Sequence, residues 1–318
     1  MDGSAAPPWL RRMAWSTVGM VFLVNLMGFL DTHTGSALGC GAEWPLCSGH
    51  LVPSQWNLQR AVEFGHRGIV MLAVILTVFT GIWALRSQSW RPGVRWWVAM
   101  GLAFVAIQAA LGALAVVFVN PSWVLAFHFG CSLLALSGFF LLALTLGRRP
   151  NSWGRELQSR EVRPIRRQIW TLLVFTYGVV YYSAYVAFLG DGLACGGWPL
   201  CRSRWIPLGG AEMVDFGHRV AALMLAGLSV SVFLQIRKRR RLFPDLYRTS
   251  ATIVALVVLQ SLSGAYVALS HSSTTSFMIH VAGMMWLFSA ECMLAWQAMP
   301  QTMSLSPWER GRDRPIGG

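Results

Sequence analysis

Val62-Glu63-Phe64-Gly65-His66-Arg67 returns 152 residues later as Val214-Asp215-Phe216-Gly217-His218-Arg219, so the chain is written twice. In each copy a carboxylate precedes a histidine by three residues, which on a helix places both side chains on one face, about 5–6 Å apart at Cβ. A long apolar run follows immediately in both copies. An ionisable pair at the edge of a membrane span is costly, and is therefore a functional candidate from the outset.

Outward from these hexapeptides the chain is strongly apolar. Of its 318 residues 55% are hydrophobic and only 12% charged, with mean hydropathy +0.50, where a soluble globule approaches about a quarter charged. Runs of about 20 apolar residues suffice to cross a bilayer core, and eight are predicted: 14–30, 64–85, 96–118, 123–146, 168–189, 214–236, 249–270 and 276–298. Trp15, Trp90, Trp96, Trp97, Trp123 and Trp170 fall near span ends, where indole rings anchor at the interface.

The net charge of +13 is not spread evenly. Arg11 and Arg12, Arg86, Arg91 and Arg95, the seven arginines from Arg148 to Arg167, the run 237–241 with Arg248, and the tail arginines make 21 of 26 basic residues, all on one side of the eight-span topology. That bias predicts cytoplasmic termini in a multi-pass plasma-membrane protein, with the first span as its own targeting signal. A basic run placed this way is a topology signal, which argues against a nucleic-acid partner and for contact with membrane lipid.

On the opposite side two longer loops, about 31–63 and 190–213, each hold a cysteine pair within a repeated Trp-Pro-Leu-Cys: Cys40 with Cys47, and Cys195 with Cys201. An oxidising face favours disulfides in both. A thiolate metal site is the alternative, for which the ligand spacing is missing. Cys131 and Cys292, in apolar spans at unrelated positions, read as small core residues.

The duplication extends further. Gln108 and Gln260, and His128 and His280, are each related by the same offset of 152. The expected fold is an all-α membrane protein whose eight transmembrane helices form two tandem four-helix bundles related by internal duplication, with an N-terminal bundle over 1–147, an Arg-rich cytoplasmic linker over 148–167 and a C-terminal bundle over 168–318. In such a bundle the second and fourth helices face each other diagonally, and at about 1.5 Å per residue His66 and His128 reach similar depth. His218 and His280 repeat the arrangement. Two histidine pairs across two bundles read as two haem sites, with Gly65, Gly68, Gly130, Gly217, Ala282 and Gly283 expected to let a macrocycle approach. Hydrogen-bonded core histidines are the alternative. Gln108 and Gln260 are expected as interhelical hydrogen-bond partners, Glu291 as a snorkelling group near the cytoplasmic end, and His33, His50 and His271 as loop residues.

Together, Thr34-Gly35-Ser36 leading to Cys40, Trp44-Pro45-Leu46-Cys47, Glu63-Phe-Gly-His66-Arg67, and Gly192-Leu193-Ala194-Cys195 with Trp198-Pro199-Leu200-Cys201 resemble the haem A synthase family of cytochrome oxidase assembly, over nearly the whole chain. The resemblance implies an oxidoreductase converting a pyrrole methyl group of haem O to the formyl group of haem A. It implies that His66 and His128 hold the substrate haem with Glu63 as the acidic group, and that His218 and His280 ligate a haem b cofactor. Haem O synthase and oxidase assembly factors are the partners it suggests. Glu63 is one methylene longer than Asp215, so it alone is expected to reach the reacting edge. Arg67 and Arg219 are candidates for haem propionates, or for pairing with Glu63 and Asp215 or with lipid phosphates. Two rival classes are a dihaem cytochrome for quinol-linked electron transfer, in which no haem is altered, and a haem chaperone or transporter, which would tolerate loss of Glu63.

Overall fold

The computed structural model describes residues 6–147, 163–202, 205–207 and 209–299. Most of the Arg-rich linker and the arginine-bearing tail therefore lie outside the described residues. Eight long helices run through the rest: α1 (Pro8–His33), α2 (Leu58–Gln88), α3 (Val94–Val117), α4 (Ser122–Gly147), α5 (Arg163–Leu189), α6 (Gly210–Arg237), α7 (Pro244–Leu269) and α8 (Thr274–Gln297). Each is long and apolar enough to cross a membrane, and no strand occurs among the described residues. The molecule is a multi-pass membrane protein.

Most helices overrun their apolar windows, because hydropathy marks only the lipid-crossing part while capping decides where a helix begins. Asn57 caps α2 by accepting the Arg60 N–H at 2.8 Å, seven residues before the apolar run starts. Pro8 and Pro244 open α1 and α7, where a missing N–H leaves no hydrogen bond unmade. His66 consequently sits two turns inside α2, with Glu63 in the turn before it.

Neighbouring helices pack in sequence within each run of four, α1 and α5 close against α4 and α8 respectively, and the two runs meet through α1, α4, α5 and α8. The centre of the molecule is α4, of whose apolar window 78% is buried. Its Leu133, Leu136, Phe139, Leu142 and Leu146 join a core that reaches α1, α3, α5 and α8, including Val180, Met285 and Phe288. A second core belongs to α5–α8 alone, around Ile169, Leu172, Val232, Ile253 and Leu294. Elsewhere large apolar side chains such as Met71, Leu72, Leu223 and Met224 point outward, as lipid-facing surfaces do when no hydrophobic drive favours their burial. Away from the histidines, polar contacts between helices include Thr17 with Thr80 at 2.7 Å and Gln168 with Gln235.

Glu291 departs from expectation. Rather than snorkelling to an arginine it is 1% exposed, with Thr176 of α5 as its polar neighbour. At the same end, Arg91 folds back under the α2–α3 turn, donating to Gln88 Oε1 at 2.6 Å and to the Thr145 carbonyl of α4 at 3.4 Å.

Candidate functional site

Both cysteine loops close on the first turns of the helices that follow them. Cys40 is disulfide-bonded to Cys47, and Cys195 to Cys201, while Cys131 and Cys292 remain free and buried. The Trp44–Pro45 and Trp198–Pro199 peptide bonds are both cis. Gly39 lies so close to the start of α2 that a Cβ there would stand 2.6 Å from the Gln59 backbone, and only glycine leaves room for that approach. No group of three or more His, Cys, Asp or Glu among the described residues converges as a bare-ion site.

The two carboxylates tie loop to helix. Glu63, 3% exposed, accepts the Cys40 N–H at 2.6 Å on Oε2 and pairs with Arg67 through Oε1. Asp215 accepts the Cys195 N–H at 3.1 Å and takes the Arg219 guanidinium in a fork, with N···O distances of 3.1 and 3.0 Å. Each arginine then reaches over the loop: Arg67 donates to the Glu43, Pro45 and Leu46 carbonyls at 3.1, 3.4 and 2.8 Å, and Arg219 to those of Gly197 and Pro199 at 2.6 and 3.2 Å. Of the pairings open to these arginines, the one with their own carboxylates is therefore present. A disulfide loop, a carboxylate and a guanidinium form one clamp, built the same way twice.

Below each clamp lie the histidines. His66 stands against Gly28 of α1 and His128 against Gly112 of α3, while His218 meets Ser183 of α5 and His280 stands against Gly264 of α7. Three of the four have their Nδ1 engaged. His128 Nδ1 lies 2.8 Å from the Gln108 carbonyl, an acceptor only, so the proton is on Nδ1. His218 Nδ1 is 2.9 Å from Ser183 Oγ, whose own proton goes to the Val179 carbonyl at 2.6 Å. His280 Nδ1 is 2.9 Å from Ser263 Oγ, which likewise donates to the Gln260 carbonyl at 2.8 Å. In both cases the hydroxyl is left to accept from Nδ1–H; this leaves the Nε2 lone pair of His218 free, while the Gln260 side-chain amide lies 3.3 Å from His280 Nε2 and engages it. That is the tautomer a metal takes, with the second nitrogen held in place. His66 Nδ1 is buried without a partner.

The glutamines serve the same residues. Only Gln260 is an interhelical partner through its side chain as expected, and what it joins is a histidine: its Nε2 lies 3.2 Å from His280 Nδ1, 3.3 Å from His280 Nε2 and 3.1 Å from the His280 carbonyl oxygen, whereas Gln108 meets His128 through its backbone carbonyl. The glycines that touch the rings are a different set from those expected to admit a macrocycle. Gly130 and Gly217 face Tyr181 and Tyr182, Gly283 faces Gln260, and Gly65 and Gly68 face open space. The glycines against the imidazoles are Gly28, Gly112 and Gly264, where an added Cβ would meet a ring Cε1 at 2.8, 3.2 and 3.3 Å. The donor set and these cradles fit an axially ligated haem in each half.

Asp31 went unread in the sequence, and His33, expected in a loop, lies instead in the last turn of α1. Asp31, buried in the last turn of α1, has an Oδ1 without a hydrogen-bond partner and lies within electrostatic range of Glu63 and Arg67. His33 ends α1 stacked on Phe277 of α8, ring centroids 4.4 Å apart. His50 pairs with Cys47 inside its loop, and His271 occupies the α7–α8 turn with φ +52°.

The profile of the cytochrome oxidase assembly protein family, COX15-CtaA, matches residues 11–292. A Symbiobacterium thermophilum protein named haem A synthase is 34% identical over 93% of this chain and 99% of its own length. Its Geobacillus kaustophilus namesake is 32% identical over 82% and 86%, and that of Halalkalibacterium halodurans 31% over 87% and 92%. With a profile match from α1 to α8 and relatives aligned over nearly their whole length, the chain belongs to the cytochrome oxidase assembly protein family.

Proposed function

We propose that the chain is a haem A synthase, oxidising a pyrrole methyl group of haem O to a formyl group to give haem A for cytochrome oxidase. The relatives of that name and the family match support the activity. The observation that carries the chemistry is the committed Nδ1 proton of His128 and His218, one in each half, since imidazoles held with Nε2 free would serve to hold a haem iron. His66 and His128 are assigned to the substrate haem O, His218 and His280 to a haem b cofactor. When bound, haem b supplies a one-electron redox centre beside the substrate half.

Glu63 is the acidic group of the substrate half, reaching one methylene further than Asp215. Held by Arg67 and the Cys40 amide, it sits at the mouth of the first pair, where it is placed to take up a proton as the methyl carbon is oxidised. Arg67 and Arg219 stand at the same mouths, and a haem propionate arriving there competes with the carboxylate for one guanidinium fork. The halves divide at the linker, residues 148–167, as a duplicated pair of four-helix units. The positive side of the chain is cytoplasmic in the plasma membrane, which places the disulfide loops and both histidine pairs toward the outer face. Haem O synthase and oxidase assembly factors are the partners proposed.

Pigment extraction and chromatography of the purified protein is the test. Haem O or haem A beside haem b is expected, and His218→Ala or His280→Ala should remove most haem b while His66→Ala and His128→Ala leave it in place. Haem b retained with an unaltered low-spin spectrum in both C-terminal variants overturns the ligand assignment. Haem b alone in both halves overturns the synthase reading in favour of a dihaem cytochrome.

A further inference from the structure

The two halves differ at one contact that decides how firmly each holds its haem. The second cysteine loop is shorter than the first, so α1 and α5 align at an offset of 155 rather than 152, fixed by Gly35 with Gly190, Leu38 with Leu193, and Cys40 with Cys195. In that register Gly28 corresponds to Ser183, and the structure agrees. Ser183 Oγ accepts from His218 Nδ1 at 2.9 Å, whereas Gly28 presents bare backbone to His66, its would-be Cβ 2.8 Å from the ring Cε1 and 3.6 Å from Nδ1. The fourth helix of each half repeats the contrast more mildly. His280 Nδ1 has the Ser263 hydroxyl, whose counterpart is Leu111, but His128 keeps the Gln108 carbonyl. His66 alone of the four has a buried Nδ1 with no partner.

An imidazole whose Nδ1–H is hydrogen-bonded is fixed in tautomer and ring rotation and is a better donor at Nε2, and losing such a partner typically weakens metal binding by about 10–100-fold. Without it the ring also populates the Nε2–H tautomer, which cannot ligate. We propose that His66 is the exchangeable axial ligand of this protein, and that the Gly28/Ser183 difference lets the first half release its tetrapyrrole while the second keeps one. The assignment rests on the reading that the first half takes substrate and the second a resident cofactor. A site that turns over must discharge its product, and a permanent redox centre must not.

The test is the rate at which haem passes from the purified, detergent-solubilised full chain to excess apomyoglobin, with the departing haem types separated chromatographically. In the unaltered chain, haem O or haem A should leave at least tenfold faster than haem b. Gly28→Ser supplies the missing acceptor and should slow departure from the first half about tenfold, with a larger low-spin fraction in its absorbance, taking the lower end of the effect such a partner has. Gly28→Ala adds the same Cβ, which at 2.8 Å from the ring Cε1 displaces His66 without offering it an acceptor, and should speed departure rather than slow it. Ser183→Ala should speed haem b loss by a similar factor. Equal behaviour of Gly28→Ser and Gly28→Ala overturns the proposal; if the first helix tolerates neither, unchanged haem b retention in Ser183→Ala overturns it alone. Should both halves yield only haem b, the substrate reading fails, and the proposal is still decided by whether that haem leaves in two phases and Ser183→Ala speeds only the slower.

Discussion

At the scale of single residues, Glu63 carries two duties that its surroundings make separable. Both its oxygens are engaged, one by a backbone N–H of the disulfide loop and one by Arg67, so a change there touches structure as well as chemistry. Glu63→Gln keeps the size and still offers Cys40 an acceptor, while Arg67 retains its three loop carbonyls. The structural loss should therefore stay within about 1–3 kcal/mol, the range for weakening a buried hydrogen bond to a charged group. We expect the variant to insert and keep haem b while haem O accumulates or stalls partly oxidised, and Asp215→Asn to be milder for haem A yield. Haem A formed by Glu63→Gln at the unaltered rate refutes the catalytic assignment and leaves the clamp as its whole role. The clamp's parts were legible in the sequence because the hexapeptide is repeated and i, i+4 pairs follow from helix geometry. The glycines around the rings were not. Gly65 and Gly217 precede their histidines in sequence, but adjacent helical positions point about 100° apart, so neither faces the ring it precedes. Gly28 and Gly112 come from other helices, and only packing brings them to His66 and His128. Asp31 escaped notice for a related reason: its counterpart in the 155 register is Val186, so the duplication offers no signal for it.

At the scale of elements, eight spans could be read because each contains a long apolar window, while α1, α2, α5, α6 and α7 begin several residues before theirs, where hydropathy does not register the helix. Which helix sits at the centre was less legible, since α3 and α4 look equally apolar. The structure distinguishes them by close contact: Gly138 of α4 rests on the backbone of α3, its would-be Cβ 2.8 Å from the Gly101 amide nitrogen and 3.0 Å from its Cα, and Phe139 fills the space beside Gly101. Small residues that let backbones approach are how membrane helices gain packing without a hydrophobic drive. Backbone cannot yield as a side chain does. Gly138→Leu should accordingly force α3 from α4 and destabilise the protein by about 1–3 kcal/mol or more, as overpacking does. Gly227→Ala on α6, where a Cβ meets nothing within 4 Å, should be neutral or stabilise by up to about 1 kcal/mol, as alanine replaces glycine within a helix. Size-exclusion profiles after graded heating in detergent measure both; a Gly138→Leu protein as heat-resistant as the unaltered chain contradicts the close-packed α3–α4 interface.

At the scale of the molecule, the charge asymmetry and the placement of the sites have to agree. Of 26 basic residues, 21 belong to the end with the termini and the short α2–α3 and α6–α7 connections. The remaining five are Arg60, Arg67, Arg202, Arg204 and Arg219. Arg67 and Arg219 are clamped to carboxylates and Arg60 donates to the Gly39 and Gln55 carbonyls, so the disulfide end has little free positive charge to hold it on the cytoplasmic side. Orientation is governed by Lys and Arg in short loops near the span ends, and disulfides persist where the compartment is oxidising; both considerations set Cys40–Cys47 and Cys195–Cys201 outward. The prediction is a labelling pattern in intact cells or spheroplasts. With the native cysteines disulfide-bonded or buried, a cysteine introduced at Leu51, which is 80% exposed in the first loop, should react with a membrane-impermeant maleimide from outside. One introduced at Arg240, in the exposed α6–α7 connection, should react only after the membrane is opened. The reverse pattern would place both histidine pairs toward the cytoplasm and the disulfides in a reducing compartment, and with them the proposed orientation would fall.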